Sequence, residues 1–360
     1  MASLAGVVVA AGLLCLSGCA NVGYYWQSAS GHLKMLSAAK PVDDWLADAS
    51  QPERLKERLV LSQRIRAFAV TELHLPDNPS YRRYADLQRA AVIWNVVAAP
   101  QDSLTLKTWC FPVTGCVGYR GYFDEAAARA EAEAQAALGL ETSVYPVPAY
   151  STLGWLNWAG GDPLLSTFIH YPEGELARLI FHELAHQVLY VQGDTMFNES
   201  FATAVERLGG ARWLATQAPE AARSEYAQAA ARRSEFRALT QATRKRLQAV
   251  YASKVAEPRV DRSFIAIKSG VMQEFRAQYA VLRAGWGGDP ARFRGYDQWV
   301  ERANNASFGA QAAYDELVPG FEALFVREGG DWRRFYDAVK RLATLPKDER
   351  HKVLKETPIA

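Results

Sequence analysis

Apolar residues recur every three to four positions along most of this 360-residue chain. This periodicity is typical of amphipathic helices that bury one face. Asp124 can cap an alanine-rich helix, Pro172 opens a helix that Gly193 ends, and Phe197 or Asn198 begins the next one. The pattern predicts helices within residues 21–48, 52–73, 124–139, 172–193, 198–210, 219–284 (with a break near Pro258) and 311–360.

Four other stretches are richer in β-branched and aromatic residues, which predicts extended structure. They are AVIWNVVAA (91–99), WCFPVTGCVGY (109–119), VYPVPAYSTLGW (144–155) and LLSTFIHY (164–171). Residues 286–300, rich in glycine, arginine and aromatic residues, predict a loop. Without internal repeats or a low-complexity linker, we expect one α+β domain over residues 19–360. It should be mainly helical, with a small mixed sheet beside the helix of residues 172–193.

Composition places the chain among folded proteins and argues against a nucleic-acid partner. It is 49% hydrophobic and 22% charged, whereas disordered chains carry fewer apolar residues and more net charge. The formal charge is only +2, which gives no global attraction for a polyanion. Basic residues concentrate at 232–246, and we interpret them as the solvated face of a helix rather than a nucleic-acid site.

The pattern of residues at the N-terminus predicts a targeting segment. Residues 4–16, LAGVVVAAGLLCL, are apolar but too short to span a bilayer alone, and they lead into Leu16-Ser17-Gly18-Cys19. This arrangement resembles the lipobox of bacterial lipoproteins. The resemblance implies a signal peptide at 1–18, lipidation of Cys19 and anchoring to the cell envelope of a Gram-negative bacterium. Ala20, rather than Asp, favours the outer membrane, facing the periplasm; the alternative is a plain secretory signal.

Two further cysteines, Cys110 and Cys116, flank a predicted turn, Pro-Val-Thr-Gly. An oxidising periplasm would permit a disulfide across such a hairpin. We therefore expect these cysteines to be paired, the alternative being two buried thiols.

The sequence HELAH carries the clearest chemical signal. His182 and His186 are four residues apart on a predicted helix, so both imidazoles lie on one face and can reach a single ion. Glu183 lies beside them, where a general base would hold a water molecule. A site for Zn²⁺ with three protein ligands keeps its fourth position open for that water. An ordinary core helix has no reason to place these polar groups among apolar neighbours.

The third ligand must come from another element, and Glu199 lies thirteen residues after His186. That distance allows one helix to end, a short turn to form and a second helix to return, with Asn198 as a cap. Glu206 lies on the same face as Glu199 and could accept a hydrogen bond from a ligand histidine, with Asp194 as a rival for that role.

HELAH followed by NESFA resembles the gluzincin class of zinc peptidases. The wider stretch AYSTLGW, DPLLSTFIHY, ELARLIFHELAHQ and FNESFATAVE is similar to bacterial lipoproteins described as aminopeptidases, as are YYWQSASGHLKML and YDELVPGFEALFVREGGD. The resemblance covers nearly all of the mature chain and implies a zincin-like fold. It also implies His182, His186 and Glu199 as zinc ligands and Glu183 as the catalytic base. Thr203 stands where many gluzincins have an Asp.

This resemblance predicts peptide hydrolysis, with the substrate extended along residues 164–171 as an added strand. Tyr279, Tyr296 and Tyr314 are candidates for stabilising the oxyanion. An endopeptidase of the cell envelope remains an alternative, as does a lipid-anchored, non-catalytic zinc-binding or assembly protein. A serine hydrolase is disfavoured because no G-x-S-x-G is present.

Overall fold

The computed structural model describes residues 23–111, 115–149, 151–155, 157–253 and 262–356, without the side chains of 262–263 and 313–315. The described residues are mainly helical. The helices are α1 (23–38), α2 (Val42–Ala47), α3 (Glu53–Thr71), α4 (Glu125–Ala137), α5 (Glu173–Ala185), α6 (Thr195–Thr216), α7 (Glu220–Ser253), α8 (Arg262–Gly285), α9 (Arg294–Arg302), α10 (Asn305–Asp315), α11 (Val318–Arg327), α12 (Trp332–Ala343) and α13 (Lys347–Glu356).

Short strands form small sheets between these helices. They are β1 (Lys40–Pro41), β2 (Arg83–Ala85), β3 (Ile93–Ala99), β4 (Trp109–Phe111), β5 (Gly115–Val117), β6 (Arg120–Tyr122), β7 (Glu141–Val147) and β8 (Leu164–Leu165). One sheet has the order β1-β2-β8 and is mixed, because β1 pairs antiparallel and β8 parallel to β2. A second is antiparallel, in the order β6-β3-β7, and β4 pairs with β5 as a hairpin. The α+β prediction is confirmed.

Helices α5 and α6 pack against each other at the centre of the main core. The apolar stripe of α5, which includes Leu176, Ile180 and Leu184, is fully buried, as its helical spacing predicts. Gly209 of α6 permits this close approach, since a Cβ there would lie 3.1 Å from a ring carbon of Phe181 on α5. The opposite face of α5 carries polar side chains, including His182 and Glu183.

The connection between α5 and α6 differs from the prediction. Helix α5 ends at its C-cap, His186, rather than at Gly193. Gly193 instead lies in the turn before α6, with a φ of +77° that suits glycine. Helix α6 begins at Thr195, and its cap is Asp194, which accepts a hydrogen bond from the Phe197 N–H. The expectation that Asn198 caps this helix was therefore wrong.

The predicted strand over residues 164–171 was also wrong beyond its first two residues. Leu164 and Leu165 pair with β2, but residues 166–170 form turns. The N–H groups of Phe168 and Ile169 both bond to the Leu165 carbonyl, and both side chains are buried. The apolar run reflects burial in these turns, so the segment offers no extended edge to a peptide.

The predicted loop over residues 286–300 is partly helical, with a 3₁₀ turn at Pro290–Phe293 followed by α9. The predicted break near Pro258 lies outside the described residues. Within the described ranges, no helix combines the length and apolar character needed to cross a membrane.

Candidate metal centre

Three donor atoms converge where α5 meets α6. The Nε2 atoms of His182 and His186 lie 3.2 Å apart. Oε2 of Glu199, on the following helix, lies 3.3 Å from His182 Nε2 and 3.6 Å from His186 Nε2. The helical spacing of the histidines and the return of α6 bring the three side chains together.

This triangle has dimensions that suit a metal ion. Zinc bonds of about 2.0–2.1 Å at the tetrahedral angle place ligand atoms roughly 3.3–3.4 Å apart, close to the observed separations. Two imidazoles and one carboxylate also form a donor set typical of catalytic zinc sites with three protein ligands. His182, His186 and Glu199 therefore form a cluster able to bind a metal, and it is compatible with zinc.

The charges of Glu199 and the two histidines interact, which shifts the pKa values of Glu199 and His182. Burial alone would raise the pKa of Glu199, but the charges of His186 and His182 and their hydrogen bonds outweigh burial and lower it. Burial would lower the pKa of His182, whereas hydrogen bonds to Glu199 and Glu206 raise it well above its usual value. Metal ligands must be deprotonated, so binding of a cation here is linked to proton release from His182.

Glu206 orients His182 through Nδ1, the ring nitrogen that faces away from the cluster. Its Oε2 lies 3.1 Å from His182 Nδ1, and its other oxygen accepts a hydrogen bond from Arg178. With a proton on Nδ1, Nε2 keeps its lone pair directed at the cluster. Burial would raise the pKa of Glu206, but Arg178 and His182 lower it to about 2.

Asp194, the alternative to Glu206 as the partner of a ligand histidine, bonds to a different helix. Its carboxylate binds Arg350 and His351 of α13, each at 2.9 Å, and ties that helix to the start of α6. Thr203, where many gluzincins have an Asp, lies one turn before Glu206 and is 5% exposed.

A cleft opens onto the cluster. This cavity of about 340 Å³ is bordered by His182, Glu183, His186 and Glu199. The rest of its wall combines aliphatic residues such as Ile93, Val147 and Leu153 with six aromatic residues, Tyr24, Tyr25, Phe111, Tyr119, Phe123 and Tyr190. Glu183 is partly exposed to this space, and burial raises the pKa of its carboxyl.

The cysteine hairpin contributes to the same cleft. A disulfide joins Cys110 to Cys116 across β4 and β5. Their neighbours Phe111 and Val117 line the cavity. Cys19 lies outside the described residues.

The candidate tyrosines are placed differently from one another. Tyr279 donates a hydrogen bond to Asp297 at 2.5 Å within a separate core formed with α9, so it does not reach the cluster. Tyr296 lines a second cavity that also touches His182 and Glu183. The side chain of Tyr314 lies outside the described part of the structure.

Tyr190 was missed by sequence reasoning. It lines the cleft with Glu199, and burial, assisted by the charge of Glu199, raises its pKa to about 12. Helical spacing gave no signal for it, because α5 ends at His186 and Tyr190 lies in the irregular segment that follows.

Asp162 was also missed, and nothing in its local sequence marks it. Its carboxylate accepts hydrogen bonds from the Thr152 N–H at 3.1 Å and from Gln187 at 3.4 Å. It thereby links the segment carrying Ser151 and Leu153, which lines the cleft, to the end of α5.

The fold and the site together define a mainly helical α+β protein whose aromatic cleft leads to a cluster able to bind a metal. Residues 23–354 match the model of a family described as "Putative aminopeptidase", and the chain belongs to this family. No curated protein matches the chain, and no solved structure does. Family membership supports peptidase activity.

Proposed function

We propose that this protein is a zinc-dependent peptidase, most consistent with an aminopeptidase, in which Glu183 is the general base. The observation that carries the proposal is the convergence of His182, His186 and Glu199 at the floor of a cleft that Glu183 also borders. When bound, zinc supplies Lewis acidity, which polarises a peptide carbonyl and makes water more acidic.

Glu183 moves the proton in this reaction. Its carboxylate accepts a proton from the attacking water as the new C–O bond forms, and it donates that proton to the leaving amine as the C–N bond breaks. Burial raises the pKa of the Glu183 carboxyl, which makes its carboxylate a stronger proton acceptor.

Tyr190 is the candidate for stabilising the oxyanion. It lines the cleft beside Glu199, and its hydroxyl, like that of an ordinary tyrosine, is protonated at neutral pH, so it can donate a hydrogen bond as negative charge develops on the carbonyl oxygen. Of the three tyrosines that the sequence offered for this role, Tyr296 lines the second cavity beside Glu183 and stays a candidate, whereas Tyr279 is bonded to Asp297 in a separate core.

One observation favours an endopeptidase as the second candidate. Among the described residues that line the cleft, the carboxylates are Glu183 and Glu199. Glu183 is assigned to proton transfer and Glu199 to the metal. Neither carboxylate can therefore bind the N-terminal ammonium group of a substrate, as an aminopeptidase requires. A non-catalytic zinc-binding or assembly protein is less consistent with this cleft, because closed structural zinc sites use four protein ligands.

A peptide-library digest tests the proposal. The zinc-loaded protein should release N-terminal residues from free peptides, lose this activity with a chelator, and regain it with added zinc. N-acetylated copies of the same peptides should resist cleavage. Internal cleavage of the acetylated peptides would identify the endopeptidase, and an intact library would contradict peptidase activity.

We also propose that Cys19 carries lipid and anchors the protein in the bacterial outer membrane, facing the periplasm. The support is the apolar segment 4–16 followed by Leu16-Ser17-Gly18-Cys19. Labelling of cells with a fatty-acid probe should mark the wild type and Cys15→Ser, but not Cys19→Ser. Label retained by Cys19→Ser would contradict the assignment.

A further inference from the structure

Leu153 lies in the wall of the cleft with its backbone in the left-handed region. Its φ is +56°, a conformation that bulky residues rarely adopt, because the Cβ atom then crowds the following carbonyl oxygen. Such strain persists only where the surrounding contacts impose it, and it is concentrated at functional sites. The strained backbone therefore marks Leu153 as a residue to consider for contact with a ligand.

Hydrogen bonds around a buried carboxylate impose this conformation. The Leu153 N–H donates to Ser151 Oγ at 3.1 Å, and the Ser151 hydroxyl donates to Asp162 at 3.4 Å. The Thr152 N–H donates to the same carboxylate at 3.1 Å. Asp162 is buried, so it fixes residues 151–153 from inside the protein.

The same carboxylate connects this segment to the helix that carries the two histidines. Gln187, which directly follows His186, donates a hydrogen bond to Asp162 at 3.4 Å. Its amide oxygen accepts a hydrogen bond from Asn78 Nδ2 at 2.7 Å, which holds the Gln187 side chain in place. Leu153 is thereby fixed in position relative to the metal cluster.

Charge is confined to one end of the cleft. Among the described residues that line it, the acidic and basic side chains are His182, Glu183, His186 and Glu199, all at the metal cluster. The remaining lining carries apolar, aromatic, hydroxyl and amide groups. Covering apolar surface in a recess removes it from water, so this part of the cleft favours an uncharged, apolar group of a ligand.

The sheet β6-β3-β7 adds aliphatic surface to the same cleft. Ile93 of β3 and Val147 of β7 are paired directly opposite each other, and both line the cleft. Side chains at opposed positions project from the same face of a sheet, so these two form one apolar patch. Leu153 therefore contributes to a wall that already has aliphatic character.

We propose that Leu153 contacts a bulky apolar side chain of the substrate, in a residue next to the cleaved bond, and that Leu153 is a determinant of specificity. A leucine side chain buries more apolar surface against this wall than alanine does. Because Leu153 is already fixed relative to His186, the contact needs no ordering of the wall when the substrate binds. This inference rests on the proposed peptidase function and specifies its substrate class.

Two pairs of peptides test the proposal and show on which side of the cleaved bond the apolar residue lies. One pair is Leu-Gly-Gly-Gly-amide against Ala-Gly-Gly-Gly-amide. The other is Gly-Leu-Gly-Gly-amide against Gly-Ala-Gly-Gly-amide. In at least one pair, kcat/KM should favour the leucine peptide by about tenfold, a usual effect of added aliphatic groups in an apolar pocket.

Leu153→Asn should reduce this preference to less than about threefold. Asparagine tolerates the left-handed backbone better than other side chains and is similar in size to leucine, so the variant removes the apolar contact while keeping the local conformation. A purely structural role of Leu153 would instead lower kcat/KM for both peptides of a pair by the same factor. Leu153→Gly, which also suits a positive φ, provides a second variant that should lose the preference.

Gln88→Asn is the matched control. Gln88 also has a positive φ, +49°, but it is exposed and lies outside the lining of the cleft. The control should keep the preference for leucine. Thermal unfolding of each variant checks that it is folded.

Binding to zinc-loaded Glu183→Gln, measured by calorimetry with the same peptides, separates this inference from the peptidase function. Leucine-selective binding that depends on Leu153, without hydrolysis by the wild type, would support the role of Leu153 and overturn the peptidase. Hydrolysis or binding without selectivity, or selectivity retained by both Leu153 variants, would overturn the role of Leu153. The absence of both hydrolysis and binding would overturn both assignments.

Discussion

Asn198 holds Val191 through two hydrogen bonds of 2.8 Å that run in opposite directions. The Val191 N–H donates to Asn198 Oδ1, and Asn198 Nδ2 donates to the Val191 carbonyl. An amide side chain can do this because it carries a donor and an acceptor side by side. The contact fixes the segment after α5 against α6, one residue before Glu199, so Asn198 positions the third member of the metal cluster.

Asn198→Asp should lower the free energy of unfolding by about 0.5–1.5 kcal/mol, because the part-buried Val191 carbonyl keeps the Asp194 N–H but loses the Asn198 donor and faces a carboxylate. Zinc affinity should fall as well, since Glu199 is less well fixed. Denaturant unfolding and competition with a chromogenic chelator measure the two effects.

Asn304→Asp is the control for this experiment, because it removes a donor to the Thr142 carbonyl outside the cluster. It should cost stability without weakening zinc binding. Equal zinc affinity in Asn198→Asp and wild type would show that the Val191 contact does not position Glu199.

Glu206→Gln should weaken zinc binding about 10–100-fold, the usual effect of removing a carboxylate behind a ligand histidine. The neutral amide favours the His182 tautomer with a proton on Nδ1 less strongly than a carboxylate does, and it removes one of the two carboxylates that pair with Arg178. Glu274→Gln, an exposed glutamate on α8, should bind zinc like the wild type. Unchanged affinity in Glu206→Gln would contradict the orienting role.

Much of the metal cluster could be predicted from the sequence because its geometry is local. The spacing of His182 and His186 on one helix fixes their common face, and the short connection to α6 limits where Glu199 can lie. The end of α5 could not be predicted in the same way. The segment that follows α5 is held by hydrogen bonds between the Asn198 side chain and Val191, and a contact of this kind is not a propensity of either residue's own segment.

Contacts between residues far apart in the chain could not be predicted from the sequence either, because they depend on how separate helices pack. Arg233 and Arg237 belong to a helix that begins well after HELAH, and their charge was interpreted as a solvated surface. The packing of α7 against α5 places these arginines in the lining of a cavity that His182 and Glu183 also border. The apolar run at 164–171 suggested a strand because burial of Phe168 and Ile169 in a turn gives the same pattern as burial in a sheet.

Asp162 makes stability depend on pH in a defined direction. It is 1% exposed, and burial raises its pKa to about 6. Folding therefore favours the protonated carboxyl. The contribution of Asp162 to stability is fully present below its unfolded pKa, about 3.9, and is lost as pH rises through the folded value.

Asp162→Asn removes this titration. Between pH 5 and pH 7.5, the variant should gain about 1.4 kcal/mol of unfolding free energy relative to wild type, since roughly one pK unit of the difference acts in this range. Urea unfolding of the metal-free proteins at both pH values measures the change, with the exposed Asp337→Asn as a control that should track the wild type. A difference between Asp162→Asn and wild type that is the same at both pH values would refute the prediction.

The most direct test of the account is peptide hydrolysis and zinc content measured on the same preparation of Glu183→Gln. We expect one zinc ion per chain, as in the wild type, because His182, His186 and Glu199 are intact. We also expect hydrolysis to be reduced by at least about 100-fold, because the proton acceptor is gone. Glu133→Gln, an exposed glutamate on α4, should behave as wild type. Full activity of zinc-loaded Glu183→Gln would contradict the central claim.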